Sequence, residues 1–378
     1  MTPPVLPPAT IGVLGGGQLG RYFVMAARTM GYRTMVLEPD PLAPAGAVAD
    51  VHLVAAYDDA TSLDRMAADC AVVTTEFENP PAAALHRLAA AAVPVRPSPH
   101  AIETVQDRRT EKQFLASIGV PIAPFAVIAT ADDLRRADVT YPAILKTACL
   151  GYDGKGQVAV LGADALAAAW DELGRVACVL EQRLVLDREV SVVMARGLDG
   201  AVAAYPVATN IHVDGILDIT VVPDPIIHAD ELAVRIAEAL GYVGVLAVEM
   251  FVVDGELLVN ELAPRPHNSG HWTLDASATS QFEQQVRAVC GLQLGDTSLT
   301  AGGAAMVNLL GDVWDGGEPD WASAVGHCGA HLHLYGKRQA RPGRKMGHIT
   351  VAAASRAEAE AAALACRSNA RRVVQLDH

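Results

Sequence analysis

The chain has 378 residues, 51% hydrophobic and 19% charged, with a formal net charge of −14. That length suits two or three domains with large cores, and the acidic balance argues against nucleic-acid binding in general. No stretch is long and apolar enough to span a bilayer, and Met1-Thr2-Pro3-Pro4-Val5 has neither a basic nor an apolar targeting region.

From the N-terminus, apolar runs at 11–14, 34–37, 71–75 and 93–96 read as strands, and 18–30, 62–69 and 81–92 as helices. The alternation predicts a doubly wound α/β domain. Gly15-Gly16-Gly17-Gln18-Leu19-Gly20 fits G-x-G-x-x-G, and Glu38 ends the next strand. Taken alone, this pattern suggests a nicotinamide-dependent dehydrogenase. The physics is broader, because glycines let the backbone approach any ligand at a helix N-terminus. Glu76 and Glu78 follow in Thr74-Thr75-Glu76-Phe77-Glu78-Asn79. They either meet a polar substrate at the C-terminal edge of the sheet or cap the next helix.

A helix over 107–118 ends at Gly119-Val120-Pro121, and a second α/β segment follows with strands at 143–146, 158–161, 179–181 and 190–195. Lys146 closes a buried strand, which is costly without an anion beside it. The glycine-rich run Gly151-Tyr152-Asp153-Gly154-Lys155-Gly156 comes next and is not a Walker A sequence. It is either a plain turn or a flap whose amides wrap phosphate oxygens. Glu181-Gln182-Arg183-Leu184 could present backbone groups to an adenine edge, and Glu189 could take ribose hydroxyls. The alternative is that both glutamates are solvated surface.

A helix over 230–240 precedes two apolar strands, 247–251 and 258–262, joined by a turn at Asp254-Gly255. Each strand carries a glutamate, Glu249 and Glu261. Apolar walls keep two carboxylates close only with a cation between them. Oxygen ligands suit Mg²⁺, which bridges to substrate phosphates. Arg265 and Asn268 follow in Arg265-Pro266-His267-Asn268-Ser269-Gly270-His271, where a charged intermediate would need stabilising. The combination points to phosphoryl transfer to a carboxylate-like acceptor. From about residue 300 a β-rich segment is expected, with strands at 304–309, 330–334 and 348–351 and a helix at 356–365. Lys337-Arg338, Arg341, Arg344 and Lys345 frame Pro342-Gly343, a turn suited to a phosphate monoester. With only Tyr335 as a stacking platform, a nucleic acid fits this charge less well.

In sequence order, the motifs are Gly15-Gly16-Gly17-Gln18-Leu19-Gly20, Thr75-Glu76-Phe77-Glu78-Asn79, Asp107-Arg108-Arg109-Thr110-Glu111-Lys112, Gly151-Tyr152-Asp153-Gly154-Lys155-Gly156-Gln157, Glu181-Gln182, the run from Asn260 to His271, and Tyr335-Gly336-Lys337 through Gly343-Arg344-Lys345-Met346-Gly347-His348. Together they resemble the 5-(carboxyamino)imidazole ribonucleotide synthases, ATP-grasp ligases of de novo purine synthesis, from residue 11 to about 350. The resemblance implies an ATP-grasp fold, cytoplasmic and commonly homodimeric. Its domains would be a Rossmann-like one at 1–106, the ATP-grasp domain at 107–300 with a lid at about 121–190, and a small C-terminal β-rich domain at 301–378. The scattered cysteines Cys70, Cys149, Cys178, Cys290, Cys328 and Cys366 suit a reducing compartment.

The resemblance also implies roles. Glu249 and Glu261 would hold Mg²⁺, or Mn²⁺ in its place. Arg108, Lys146, Gly151, Gly154, Lys155, Gly156, Gln157, Glu181, Gln182, Leu184, Glu189 and Asn260 would bind ATP. Arg265, His267 and Asn268 would hold bicarbonate and the charge of carboxyphosphate. Gln18, Leu19, Glu76, Tyr152 and Asp153 would surround 5-aminoimidazole ribonucleotide, with Lys337, Arg344 and Lys345 on its 5′-phosphate. Either Asp153 or the released phosphate would accept the amine proton. Thr147-Ala148-Cys149-Leu150 departs from relatives that carry basic residues ahead of the loop. A dehydrogenase leaves the glutamate pair and the cationic turn without roles. A formate-using glycinamide ribonucleotide transformylase or a biotin carboxylase does not account for that turn or for Arg-Pro-His-Asn. A non-catalytic sensor would not need both glutamates, Lys146 and Arg265.

Overall fold

In the computed structural model, which describes residues 3–149, 151 and 156–371, three sheets carry the chain. Strands β1 (Thr10–Leu14), β2 (Arg33–Leu37), β3 (Val51–Leu53) and β4 (Val72–Thr75) stand in the order β3-β2-β1-β4. All three pairings are parallel. Parallel neighbours need crossovers, here α1 (Gln18–Thr29) and α2 (Ala60–Asp69). Ile11, Val13 and Val36 pack with Leu19, Phe23 and Val24 of α1, while Leu14, Leu37 and Val73 pack with Leu63 and Met66 of α2. Burial on both faces explains why these strands read as continuous apolar runs.

The expected strand at 93–96 is only an isolated bridge between Val73 and Val95. Pro94 and Pro97 have no N–H to continue a ladder. Helix α3 (Ala82–Ala90) is followed by α4 (Pro99–Gln106), which the sequence reading did not anticipate. Its start is chemically marked: Ser98 caps it and Pro99 occupies the first turn. Helix α5 (Arg108–Ser117) begins at Arg108 because the Asp107 carboxylate accepts from the Arg109 N–H.

The second sheet is antiparallel. It orders β5 (Phe125–Ile128), β6 (Ala143–Thr147), β7 (Gln157–Val160) and β8 (Cys178–Gln182) as β5-β8-β6-β7. Leu145, Leu166, Trp170 and Leu180 give it a core of its own.

The third sheet has nine strands. They are β9 (Arg188–Arg196), β10 (Val202–Ala204), β11 (Ala208–Val213), β12 (Ile216–Val222), β13 (Gly244–Val253), β14 (Glu256–Ala263), β15 (Gly303–Leu310), β16 (Ala330–Leu334) and β17 (Lys345–Ala353). The order is β14-β13-β9-β11-β12-β15-β17-β16, with β10 also on β9. The β-rich C-terminal segment therefore extends the central sheet from β12 through β15. The final helix, Arg356–Ala370, lays Ala359, Ala363, Cys366 and Ala370 against β15 and β17. Their spacing puts them on one helix face.

Candidate active site

The β13–β14 hairpin sets Glu249 directly opposite Glu261, with a register shift just beyond Glu249. Like charges in facing positions repel, so the pair needs cations around it. Two are present. Arg108 Nη1 donates to Glu261 Oε2 at 2.9 Å, and His267 Nε2 lies 2.9 Å from Glu249 Oε1. Burial alone would raise the Glu261 carboxyl, but Arg108 and Lys146 hold it well below the usual carboxylate range.

Behind the hairpin, α5 contributes two buried ionisable side chains. Glu111 Oε1 accepts from the Leu262 N–H at 2.7 Å, and Lys112 Nζ donates to the Asn260 carbonyl at 2.8 Å. Burial pushes the Glu111 carboxyl up to about 7 against the pull of Arg108 and Lys112. Glu181 joins this cluster from β8. Its Oε2 is 3.0 Å from Lys146 Nζ and 3.4 Å from Lys112 Nζ. Burial would raise Glu181, yet the two lysines outweigh it and keep it ionised. The anion that makes Lys146 affordable in its strand is thus a protein carboxylate.

A cavity of about 960 Å³ opens in front of these groups. Gln18, Leu19, Arg108, Lys146, Gly151, Gly156, Gln157, Glu189, Glu249, Asn260, Glu261, Arg265, His267, Asn268, Lys337, Arg344 and Lys345 all line it. The fold gathers them from the starts of α1 and α5, the second and third sheets with the loops beside them, and the C-terminal turn. Several buried polar atoms on this wall have no hydrogen-bond partner among the described residues: Asn260 Oδ1, Arg265 Nε, and both Asn268 amide atoms. Such atoms are costly unless a ligand reaches them. The Arg265 guanidinium pairs with Glu78, which links the edge of the N-terminal sheet to the central hairpin.

Four expected site residues are not on the cavity wall: Glu76, Glu181, Gln182 and Leu184. Glu76 is turned into the glycine-rich run, where its oxygens accept from the Gly17 and Gly20 N–H groups at 2.8 and 2.9 Å. The Glu181 side chain serves the two lysines. Gln182 stays in the β8 ladder opposite Ala143, and its N–H donates to the Pro124 carbonyl. Leu186, two residues beyond Leu184, reaches the wall in this stretch. Tyr152, Asp153, Gly154 and Lys155 lie outside the described residues.

The dinucleotide pattern also finds its physical explanation. Glu38 Oε2 accepts from the Gly16 N–H at 2.9 Å and from the Tyr57 hydroxyl at 2.5 Å. Together with Glu76 it occupies the amides that a pyrophosphate would need. A Cβ at Gly16 would come within 2.4 Å of Glu38 Cγ, so this glycine admits a carboxylate side chain rather than a cofactor. His212 was not anticipated. It lines the cavity with its Nδ1 3.1 Å from Glu189 Oε2, and both sit on facing strands β11 and β9. The only local sequence signal near it is the Asp214-Gly215 turn, which joins β11 to β12.

The glutamate hairpin, the buried lysines and the smaller antiparallel sheet over one cavity define an ATP-grasp protein. Family models agree: a ribonucleotide synthetase preATP-grasp domain at residues 8–106, an ATP-grasp domain at 113–282, and a phosphoribosylaminoimidazole carboxylase C-terminal domain at 304–362. The N5-carboxyaminoimidazole ribonucleotide synthase of Brucella melitensis is 47% identical over 354 residues, 91% of this chain and 96% of that one. The solved ADP complex of an N5-carboxyaminoimidazole ribonucleotide synthetase superposes with a TM-score of 0.90 at 40% identity, covering 97% of this chain and 98% of that one. The Aspergillus clavatus enzyme, solved with ADP and 5-aminoimidazole ribonucleotide, gives 0.85 at 30% identity, covering 97% and 99%. The chain belongs to the N5-carboxyaminoimidazole ribonucleotide synthase family.

Proposed function

We propose that the protein uses ATP and bicarbonate to carboxylate the exocyclic amine of 5-aminoimidazole ribonucleotide, releasing ADP and phosphate. The observation that carries this reading is a single cavity walled by an acidic pair, by Arg265 with Asn268, and by the Lys337–Lys345 cationic turn. Each wall answers one chemical need: nucleotide phosphates, a charged intermediate, and a second phosphate-bearing substrate.

In this reading a bicarbonate oxygen attacks the terminal phosphorus of ATP, giving carboxyphosphate and ADP. Lys146 and Arg108 offset the charge of the transferring group. Arg265 and Asn268 hold the bicarbonate, and their unpartnered atoms are the donors and acceptors it would fill. The amine then takes the carboxyl carbon as the phosphate leaves. Asp153 or that phosphate accepts the amine proton. Lys337, Arg344 and Lys345 hold the 5′-phosphate; the Lys337 ammonium already lies 2.8 Å from the Lys345 carbonyl, which fixes the turn's shape. Carboxyphosphate is labile in water, so a flap must exclude solvent; the run expected to do so, Gly151–Gly156, lies mostly outside the described residues.

The facing carboxylates of Glu249 and Glu261 fit a hard divalent cation, and Asn260 Oδ1 beside them has no partner among the described residues. Mg²⁺ held there would supply charge neutralisation at the nucleotide phosphates.

The deciding experiment is ADP release with Mg-ATP and bicarbonate, with and without 5-aminoimidazole ribonucleotide. Strong stimulation by the ribonucleotide, with loss of its free amine, is expected. ATP turnover indifferent to the ribonucleotide would leave the ATP-grasp class and overturn this substrate.

A further inference from the structure

Helix α5 turns one face to strand β14. Arg108, Glu111 and Lys112 stand at i, i+3 and i+4, so they lie together on the helix surface. They reach consecutive residues of β14. Arg108 donates to the Glu261 carboxylate, Glu111 accepts from the Leu262 N–H, and Lys112 donates to the Asn260 carbonyl. The last two contacts hold main chain, not side chains. β14 is the outermost strand of its sheet, so backbone groups on its outer edge have no further strand to meet.

What Glu111 and Lys112 hold is a bulge. Glu249 pairs with Glu261 and Met250 with Val259, which leaves Asn260 without a partner on β13. In a regular strand successive side chains point to opposite faces, so Asn260 and Glu261 would point apart. The extra residue breaks that alternation. Leu257, Val259 and Leu262 all pack with Val248 and Met250 in one core cluster. Both residues between Val259 and Leu262, Asn260 and Glu261, line the cavity.

Lys112 is a costly fastening. Its side chain is fully buried, and an ammonium there needs a paired anion. Glu181 supplies one at 3.4 Å, and the same carboxylate lies 3.0 Å from Lys146. Lys112 thereby joins the bulge in the third sheet to Lys146 in the second. An apolar side chain would fill the space without that cost, but it could not hold the Asn260 carbonyl.

We propose that Lys112, with Glu111, is a positioning residue that holds the β14 bulge, so that Asn260 and Glu261 meet a divalent cation and its nucleotide side by side. This rests on the nucleotide and metal roles proposed for those two residues, but not on the identity of the second substrate.

The test compares the full chain with Lys112→Met. The probe is Mn²⁺ with ADP, followed through the electron paramagnetic resonance signal of free Mn²⁺. Lys112→Met should weaken Mn²⁺ binding about tenfold or more while the KM for 5-aminoimidazole ribonucleotide stays within about twofold, as expected for a residue that orients a ligand from behind. Its crystal structure should show Asn260 drawn off the cavity wall. If Lys112→Met does not fold, Glu111→Leu releases the other clamped backbone group and answers the same question. Unchanged Mn²⁺ affinity in folded Lys112→Met, an equal loss of metal and ribonucleotide affinity, or a bulge that keeps both side chains on the wall overturns the proposal alone. An unaltered chain that binds no Mn²⁺ with ADP would overturn the metal reading and this proposal with it.

Discussion

Arg265 and Glu111 show how burial turns a common side chain into a specialised one. Arg265 is tied to Glu78 through one end of its guanidinium, while its Nε stays buried without a partner among the described residues. In the role proposed for it, removing it takes away a fixed donor for developing charge but no nucleotide contact. Arg265→Ala should therefore lower kcat by about 10²–10³-fold with little change in ATP affinity, which steady-state kinetics and ATP titration would check. Glu111 responds to pH. Its carboxyl is raised to about 7 in the folded protein, above its unfolded value, so the folded state holds the proton more tightly. The stability it contributes is full below about pH 4.3 and is lost as pH rises through about 7. Glu111→Gln should flatten that fall. Urea unfolding at acidic and at mildly alkaline pH, in metal-free buffer, would reveal it; an unchanged pH slope would mean that Glu111 is ionised throughout. Residue types at the site were legible in sequence, but their targets were not. Glu76 and Glu181 are the right kind of residue in the right neighbourhood. Nothing in the chain order says that one faces backbone amides and the other two lysines.

Elements were legible wherever a local signal was strong. The turn at Asp254-Gly255 predicts the β13–β14 hairpin, and the structure places Asp254 and Gly255 at positive φ there. Asp214-Gly215 is the same signal with the same backbone signs, and it makes the β11–β12 hairpin. It is harder to see because Thr209, Asn210, His212 and Asp218 interrupt the apolar runs on either side. Each has a polar task in its strand: His212 lines the cavity, Asn210 bonds to Ser191, Thr209 to Asp224, and Asp218 pairs with Arg367. The C-terminal turn is the other element whose role depends on shape. Lys337 sits 5.5 Å over the Tyr335 ring and is held to the Lys345 carbonyl, so its charge is presented from one fixed place. Lys337→Ala should raise the KM for 5-aminoimidazole ribonucleotide about tenfold or more, the value of one charge-assisted hydrogen bond. ATP affinity should hold. Weaker ATP binding with an unaltered ribonucleotide KM would move the turn to the nucleotide side of the cavity.

At the scale of the molecule, the continuous central sheet matters more than the division into segments. Local periodicity shows that a β-rich stretch follows residue 300 but not what it pairs with, since pairing depends on strands far apart in sequence. In the folded chain β12 pairs with β15 from Ile219↔Val307 to Val222↔Ala304, and one hydrophobic cluster holds Ile219 and Val221 of β12 together with Val307, Ile349 and Ala363. The turn that carries Lys337 and Arg344 thereby becomes part of the rigid frame that bears Glu249 and Glu261. A chain ending at residue 300 would retain every residue proposed here for metal and nucleotide and lose only those proposed for the ribonucleotide's phosphate. If the segments were independent, it would fold and bind ATP. The sheet argues otherwise: the cut leaves β12 as an apolar open edge with half its core removed, a template for aggregation. Residues 1–300 expressed alone should be insoluble or lack a cooperative thermal transition, whereas the full chain melts cooperatively. A soluble 1–300 fragment that melts cooperatively and binds ATP as the full chain does would show that the C-terminal strands are an appendage, and that the sheet's continuity does not couple the two substrate sites.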